Sequence, residues 1–250
     1  MLRHPFAVAA AVCVTFCAAA LPAAAASVYA LLGGDAAFNE ICAAGNAAGS
    51  GNAACEFAVS EMRGGNNALS GDFELGMQNP PKNPISYSDE ANYVWNSGVE
   101  HRFSLLFVPG TLGTLSLTVG VDPQSSVSAN DLDLTGMQSL FIRTRQPGNG
   151  TVTLSGMMLD GHEIGGLTPT GSGSDGAGYL QISGIDWTQR WELTGTVAFG
   201  WTGDTIPGRS NLNVGFKLTD VPPIPLPAAA WLLLSGIAGL GLLARRRPAA

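Results

Sequence analysis

Apolar and polar residues alternate with period two in several stretches of this chain, the pattern of strands with one buried face. In Thr114–Val121, Leu115, Leu117, Val119 and Val121 face one way, and Ser116, Thr118 and Gly120 the other. In Trp191–Trp201, Leu193, Val197, Phe199 and Trp201 oppose Glu192, Thr194 and Thr196. In Asn211–Thr219, Leu212, Val214, Phe216 and Leu218 oppose Asn213, Gly215 and Lys217. Weaker alternation marks Arg102–Val108, Gln138–Arg145, Thr151–Asp160 and Gly178–Ile185. Pro109-Gly110 predicts a hairpin between the strand ending at Val108 and the one starting at Thr114. Pro147-Gly148-Asn149-Gly150 predicts another in the same way, between Gln138–Arg145 and Thr151–Asp160, which Asp160-Gly161 ends. Thr202–Ser210 links the last two strands, and Thr168–Gly178 is a surface loop. Helical periodicity is confined to a short segment near Asp35–Ala44, and there is no internal repeat. The expected fold of residues 27–221 is all-β, an antiparallel β-sandwich of jelly-roll-like form.

The two ends follow another pattern. Met1 to His4 is a short positively charged start, and Phe6 to Leu21 is an apolar run broken by Thr15. That run is too short for a comfortable bilayer span, and Pro22 and the alanines 23–26 follow it. A charged start, an apolar middle and an A-x-A end describe a secretory signal peptide over 1–26. The cut falls after Ala24-Ala25-Ala26, before Ser27; one or two residues earlier fits equally well. At the other end, the prolines within 222–227 exclude a helix. Residues 228–244 are apolar or small, long enough for a single short transmembrane helix of roughly 25 Å. Trp231 suits the membrane interface, and Arg245, Arg246 and Arg247 hold the tail 245–250 on the cytoplasmic side.

This tail reads as an ordinary single-span anchor or as a processed sorting signal. A proline-rich motif, a short helix and an arginine cluster, in that order, resemble the PEP-CTERM class of bacterial sorting segments, in its VPLPA-CTERM variant. Ile224-Pro225-Leu226-Pro227-Ala228 matches that motif with isoleucine for the first valine, and the resemblance covers about the last thirty residues. It implies an exosortase-like membrane protease as partner, cleavage near the motif, and release or re-attachment at the surface of a Gram-negative bacterium that makes extracellular polysaccharide. Upstream, the Sec export machinery and signal peptidase are the expected partners.

The segment 27–221 holds eight basic against nineteen acidic residues, a net charge of −11. Such a domain has no phosphate-neutralising patch, so nucleic acid is excluded as partner, and anionic surfaces repel it. Cys13 and Cys17 leave with the signal peptide. Cys42 and Cys55 remain, on either side of a glycine- and alanine-rich loop, and are expected to form one disulfide. No histidine stands near them, and their spacing is not that of a zinc site.

No catalytic constellation emerges. His101, in the alternating segment Val99–Phe107, is expected to be a solvent-facing strand residue rather than a base. Asp160, His162 and Glu163 read as a solvated turn, with a metal site as the rival. Ser155-Gly156 and Ser183-Gly184 lack the context of a nucleophile elbow. Asn130-Asp131-Leu132-Asp133 alternates oxygen ligands like the start of a calcium loop but lacks the glycine and glutamate of an EF-hand. Trp95, Trp187, Trp191 and Trp201 are packing residues first; a sugar-stacking platform needs them on one exposed face. Scattered carboxylates leave a glycosidase pair open.

The domain also resembles the "choice-of-anchor" extracellular modules, through Trp95-Asn96-Ser97-Gly98, the strand pair after it, and the ending Asn213 to Pro222. That resemblance implies a surface module and carries over no catalytic residue. The expectation is therefore an exported, C-terminally sorted, non-enzymatic protein of the cell surface or matrix, structural or adhesive among polysaccharide. It needs no cofactor, with calcium at loops on one end of the sandwich as the exception. A carbohydrate-binding module and a carboxylate-pair glycoside hydrolase are the alternatives.

Overall fold

The computed structural model describes residues 26–31, 33–45, 55–64, 73–79, 87–122, 124–133, 136–146, 150–164, 176–203 and 212–223. Ala24 of the predicted cut, the motif from Ile224 to Ala228, the apolar stretch 228–244 and Arg245, Arg246 and Arg247 lie outside the described residues. Among the described residues no helix is long and apolar enough to cross a membrane.

In chain order the elements are β1 (Ser27–Leu31), α1 (Gly34–Gly45), β2 (Glu56–Arg63), β3 (Leu75–Gln78), β4 (Asp89–Ala91), β5 (Glu100–Val108), β6 (Gly113–Val119), β7 (Ser125–Leu132), β8 (Ser139–Arg145), β9 (Gly150–Leu159), β10 (His162–Glu163), β11 (Ala177–Ser183), β12 (Trp191–Trp201) and β13 (Asn213–Thr219). They form two sheets in which neighbours run antiparallel. One has the order β1-β11-β8-β13-β2-β3-β4, the other β10-β9-β12-β5-β6-β7. Their inner faces share one apolar core, so the molecule is an all-β sandwich.

The clearest sequence patterns became the inner strands. Leu115, Leu117 and Val119 of β6, Leu193, Val197 and Phe199 of β12, and Val214, Phe216 and Leu218 of β13 are all buried in that core. The hairpin at Pro109-Gly110 forms as expected, with Val108 opposite Thr114 and Phe103 opposite Val119. Val121 departs from expectation: β6 stops at Val119, Gly120 turns the chain at φ 83°, and Val121 is 73% exposed.

The second expected hairpin is not one. β8 lies between β11 and β13 in one sheet, whereas β9 lies between β10 and β12 in the other. Turn residues announce that the chain reverses; they do not say whether the next strand pairs with the last or stacks over it. The weak alternation of β9 also has a cause. Its register on β12 shifts between Thr194 and Thr196, opposite Gly156-Met157, and Gly156 has φ 55°. This bulge changes the inward parity, so Val152 and Leu154 are followed by Met157 and Leu159 in the core.

The seven-stranded sheet is covered on its outer face as well. α1 lays Phe38 against Phe141 of β8 and stacks it on Tyr179 of β11, with ring centroids 5.1 and 4.7 Å apart. Cys42 at the end of α1 and Cys55 before β2 form the expected disulfide within this second cluster, Cα atoms 5.4 Å apart. Asp35, in the first turn of α1, accepts from the Arg143 guanidinium at 2.7 and 2.5 Å and from the Tyr179 hydroxyl at 2.6 Å. Lys217 pairs with Glu56, and Arg63 with Glu61, on the same face. Arg63 also lies over the rings of Phe73 and Tyr87, 4.6 and 5.0 Å from their centroids.

Candidate functional site

Between β4 and β5 the chain leaves the seven-stranded sheet for the six-stranded one, closing one end of the sandwich. Along this crossing Tyr93 and Trp95 turn inward and are buried, while Asn92, Val94 and Asn96 point outward. Trp95-Asn96-Ser97-Gly98 docks the crossing onto β12. The Trp95 indole meets the Phe199 ring edge-on at 4.7 Å. The Gly98 N–H donates to the Phe199 carbonyl at 2.8 Å. The Ser97 hydroxyl donates to the Trp201 carbonyl and accepts from its N–H, at 3.1 and 3.0 Å. Gly98 has φ 77° in the turn, a conformation glycine adopts without strain.

β5 then begins with Glu100 and Arg102 exposed and His101 on the inward parity of Phe103, Leu105 and Phe107. The expectation of a solvent-facing His101 is corrected: the ring is half-buried against the crossing segment. Its Nδ1 is 2.7 Å from the Tyr93 hydroxyl, and the imidazole stands edge-on to the rings of Tyr93 and Trp95. Its Nε2 is buried and has no hydrogen-bond partner among the described residues. At 90° to Trp95, with centroids 5.2 Å apart, the ring has the geometry in which an N–H edge meets a π face. Burial holds the imidazole pKa below its ordinary 6.5, so the ring is neutral at pH 7. Burial likewise raises the Tyr93 hydroxyl above 10, which keeps it protonated.

A cleft of about 510 Å³ opens over this pair. One wall is the crossing segment, with Val94 and Asn96; the floor is Tyr93 and His101; the far wall is Glu100, Arg102 and the β6–β7 turn, with Gly120, Val121 and Asp122. Val94 and Val121, 69% and 73% exposed, form an apolar rim. The Gly120 N–H donates to the Arg102 carbonyl at 2.9 Å and fixes the turn against β5. The volume lies in the range of small-molecule sites. The cleft offers an apolar rim, an aromatic floor and four exposed polar side chains: Asn96, Glu100, Arg102 and Asp122.

The other candidates fall elsewhere. Asp160-Gly161 forms a two-residue hairpin turn, both residues at positive φ, and the Asp160 carboxylate accepts from the Glu192 N–H at 2.8 Å. His162 and Glu163 are exposed on β10, which that turn presents. Asp131 lies at φ 62° where the β6–β7 register shifts, so this bulge explains the Asn130-Asp131-Leu132 pattern and returns Leu132 to the core. Among the described residues no three His, Cys, Asp or Glu side chains converge to hold a metal ion. The four tryptophans share no face. Trp95 and Trp191 are buried, whereas Trp187 and Trp201 are half-buried. Trp187 packs on Trp191 at the start of β12, and Trp201 ends that strand, about 33 Å further along. The platform expected of a carbohydrate-binding module therefore does not assemble from these indoles.

The cleft residues were not legible as a set. His101 sits only two residues before Phe103, and extending the parity of Phe103, Leu105 and Phe107 backward places it inward. Nothing in the sequence brings Asp122 or Asn96 beside it. No family model matches the chain, and no curated protein matches it. The class that fold and site define is an all-β sandwich with an open cleft at one end.

Proposed function

We propose that the chain is an exported protein, cut before Ser27 and sorted through Ile224-Pro225-Leu226-Pro227-Ala228, that serves as a non-enzymatic structural or adhesive component of the cell surface or matrix. The single observation that carries this reading is the disulfide between Cys42 and Cys55, whose Cα atoms are 5.4 Å apart. Such bonds persist in oxidising compartments, where the signal-peptide pattern of residues 1–26 would deliver the chain. Strands β2, β5, β8, β9, β10, β11, β12 and β13, taken as 1 to 8, lie in the orders 1-8-3-6 and 2-7-4-5. That order supports a jelly-roll reading, with the remaining strands added at the sheet edges.

The test is the intact mass of the protein recovered from its native cell surface. The expected mass runs from Ser27 to a point between Pro225 and Ala228. A mass that still includes the apolar stretch and Arg245, Arg246 and Arg247 would leave a plain membrane anchor and remove the exosortase-like protease from the account. Robust hydrolysis of a polysaccharide by the protein would overturn the non-enzymatic role.

A further inference from the structure

We propose that the cleft over Tyr93 and His101 binds a neutral, hydroxyl-rich sugar ring, which makes this end of the sandwich a glycan-binding site. The inference rests on the reading above, that the domain works among extracellular polysaccharide, and names the part that would touch it.

Charge selects the ligand class. The segment 27–221 carries −11 in total, and the cleft itself sets the two carboxylates Glu100 and Asp122 against the one guanidinium of Arg102. An acidic polymer is repelled at long range and again at the wall. A neutral ring meets neither cost. Its hydroxyls both donate and accept, which suits a wall of carboxylate acceptors, a guanidinium donor and the Asn96 amide. Its C–H faces need apolar surface, and Val94 and Val121, both lining the one cleft, supply it at 69% and 73% exposure. Exposed valines scattered singly would need no explanation; two on one rim coincide with the opening. The floor is already built. The Tyr93 hydroxyl is held by His101 Nδ1, and both rings are braced against Trp95, so little ordering is left for the ligand to induce.

The same geometry separates binding from hydrolysis. A general acid needs a carboxyl group kept protonated by burial. Glu100 and Asp122 are both exposed rather than enclosed. No carboxyl group among the described lining residues is buried in the way such an acid requires.

The full chain, purified in detergent, would be titrated with three neutral probes (cello-, malto- and N-acetylchito-oligosaccharides) and with oligogalacturonate as the acidic comparison. The readout is the imidazole NMR signal of His101, assigned by its loss in His101→Gln. At least one neutral probe is expected to shift that signal saturably, and oligogalacturonate is not. The double variant Glu100→Gln/Asp122→Asn should weaken binding by about tenfold or more, a loss of about 1.4 kcal/mol, with the melting temperature unchanged. Both side chains are exposed, so folding does not depend on them. No shift with any neutral probe, preference for the acidic one, or binding that survives the double variant and Val94→Ser would each overturn the inference. Hydrolysis of a bound probe would replace it with the glycosidase reading. The two proposals fail separately: the surface-recovered mass tests export whatever the cleft binds, and the titration tests the cleft whatever the fate of the tail.

Discussion

At the scale of residues, the ion pair under α1 is where pH acts most directly. Burial by itself would raise the pKa of Asp35, but hydrogen bonds from Arg143 and Tyr179 and the nearby guanidinium charge outweigh it and hold the carboxyl at about 2, against an ordinary 3.8. A depressed carboxylate stabilises the fold fully above its unfolded value. That contribution is lost as pH falls through the folded one. Asp35→Asn should therefore lower stability at pH 7 by about 1 kcal/mol, a figure reduced because the side chain is 32% exposed. The gap to the parent should narrow as pH is lowered from about 4 towards 2. Urea unfolding at a series of pH values reads this directly, and a gap that stays constant would mean that Asp35 acts through packing rather than charge. Tyr179, in the same cluster, is kept protonated far above the usual tyrosine range by burial and by the Asp35 carboxylate.

At the scale of elements, bulges decide which side chains reach the core. Gly156 sits at φ 55° with no atom of the described residues within 4 Å of where a Cβ would stand, so the constraint seen there is that of the backbone. Gly195, across the pair, is limited by contact instead: a Cβ there would lie 2.9 Å from the Phe103 ring. Replacing Gly156 by valine should cost about 1–2 kcal/mol, since a β-branched residue resists the left-handed region, while asparagine should cost much less. Equal losses for Gly156→Val and Gly156→Asn would show that the bulge is absent. The hairpin at Asp160-Gly161 obeys the same chemistry, with residue types that tolerate positive φ at both central positions.

At the scale of the whole molecule, a sandwich with one short helix depends on how its outer face is closed. α1 is tied to β2 by Cys42–Cys55, thirteen residues apart in sequence, and its Phe38 shields Phe141 and Tyr179. Removing the cross-link in Cys42→Ser/Cys55→Ser should lower stability by about 3 kcal/mol. The two sheets should persist, because their shared core contains neither cysteine. Denaturant unfolding and far-UV circular dichroism test the two halves of that statement; loss of strand signal in the folded baseline would mean the outer face is required for the sandwich itself. The cationic residues also gather there. Arg63, Arg143, Arg145 and Lys217 fall on the outward parity of β2, β8 and β13, away from the cleft.

The sequence by itself determined the all-β class, the inner strands β5, β6, β12 and β13, the short helix and the cysteine pair. Each of these is a local pattern: alternation with period two, turn chemistry, or two cysteines flanking a glycine-rich loop. β2 was illegible because Ser60 faces inward and Val59 outward, and β11 showed only as the weak alternation of Gly178–Ile185 because it is buried on both faces. The tertiary structure decided which strands pair and which stack, and so turned an expected hairpin between β8 and β9 into a passage between sheets. It also decided the cleft. Asn96, His101 and Asp122 come from a crossing, a strand start and a turn that meet only when the two sheets close over a common core. Period-two alternation records which face of a strand is buried, not which loops share an end of the sandwich.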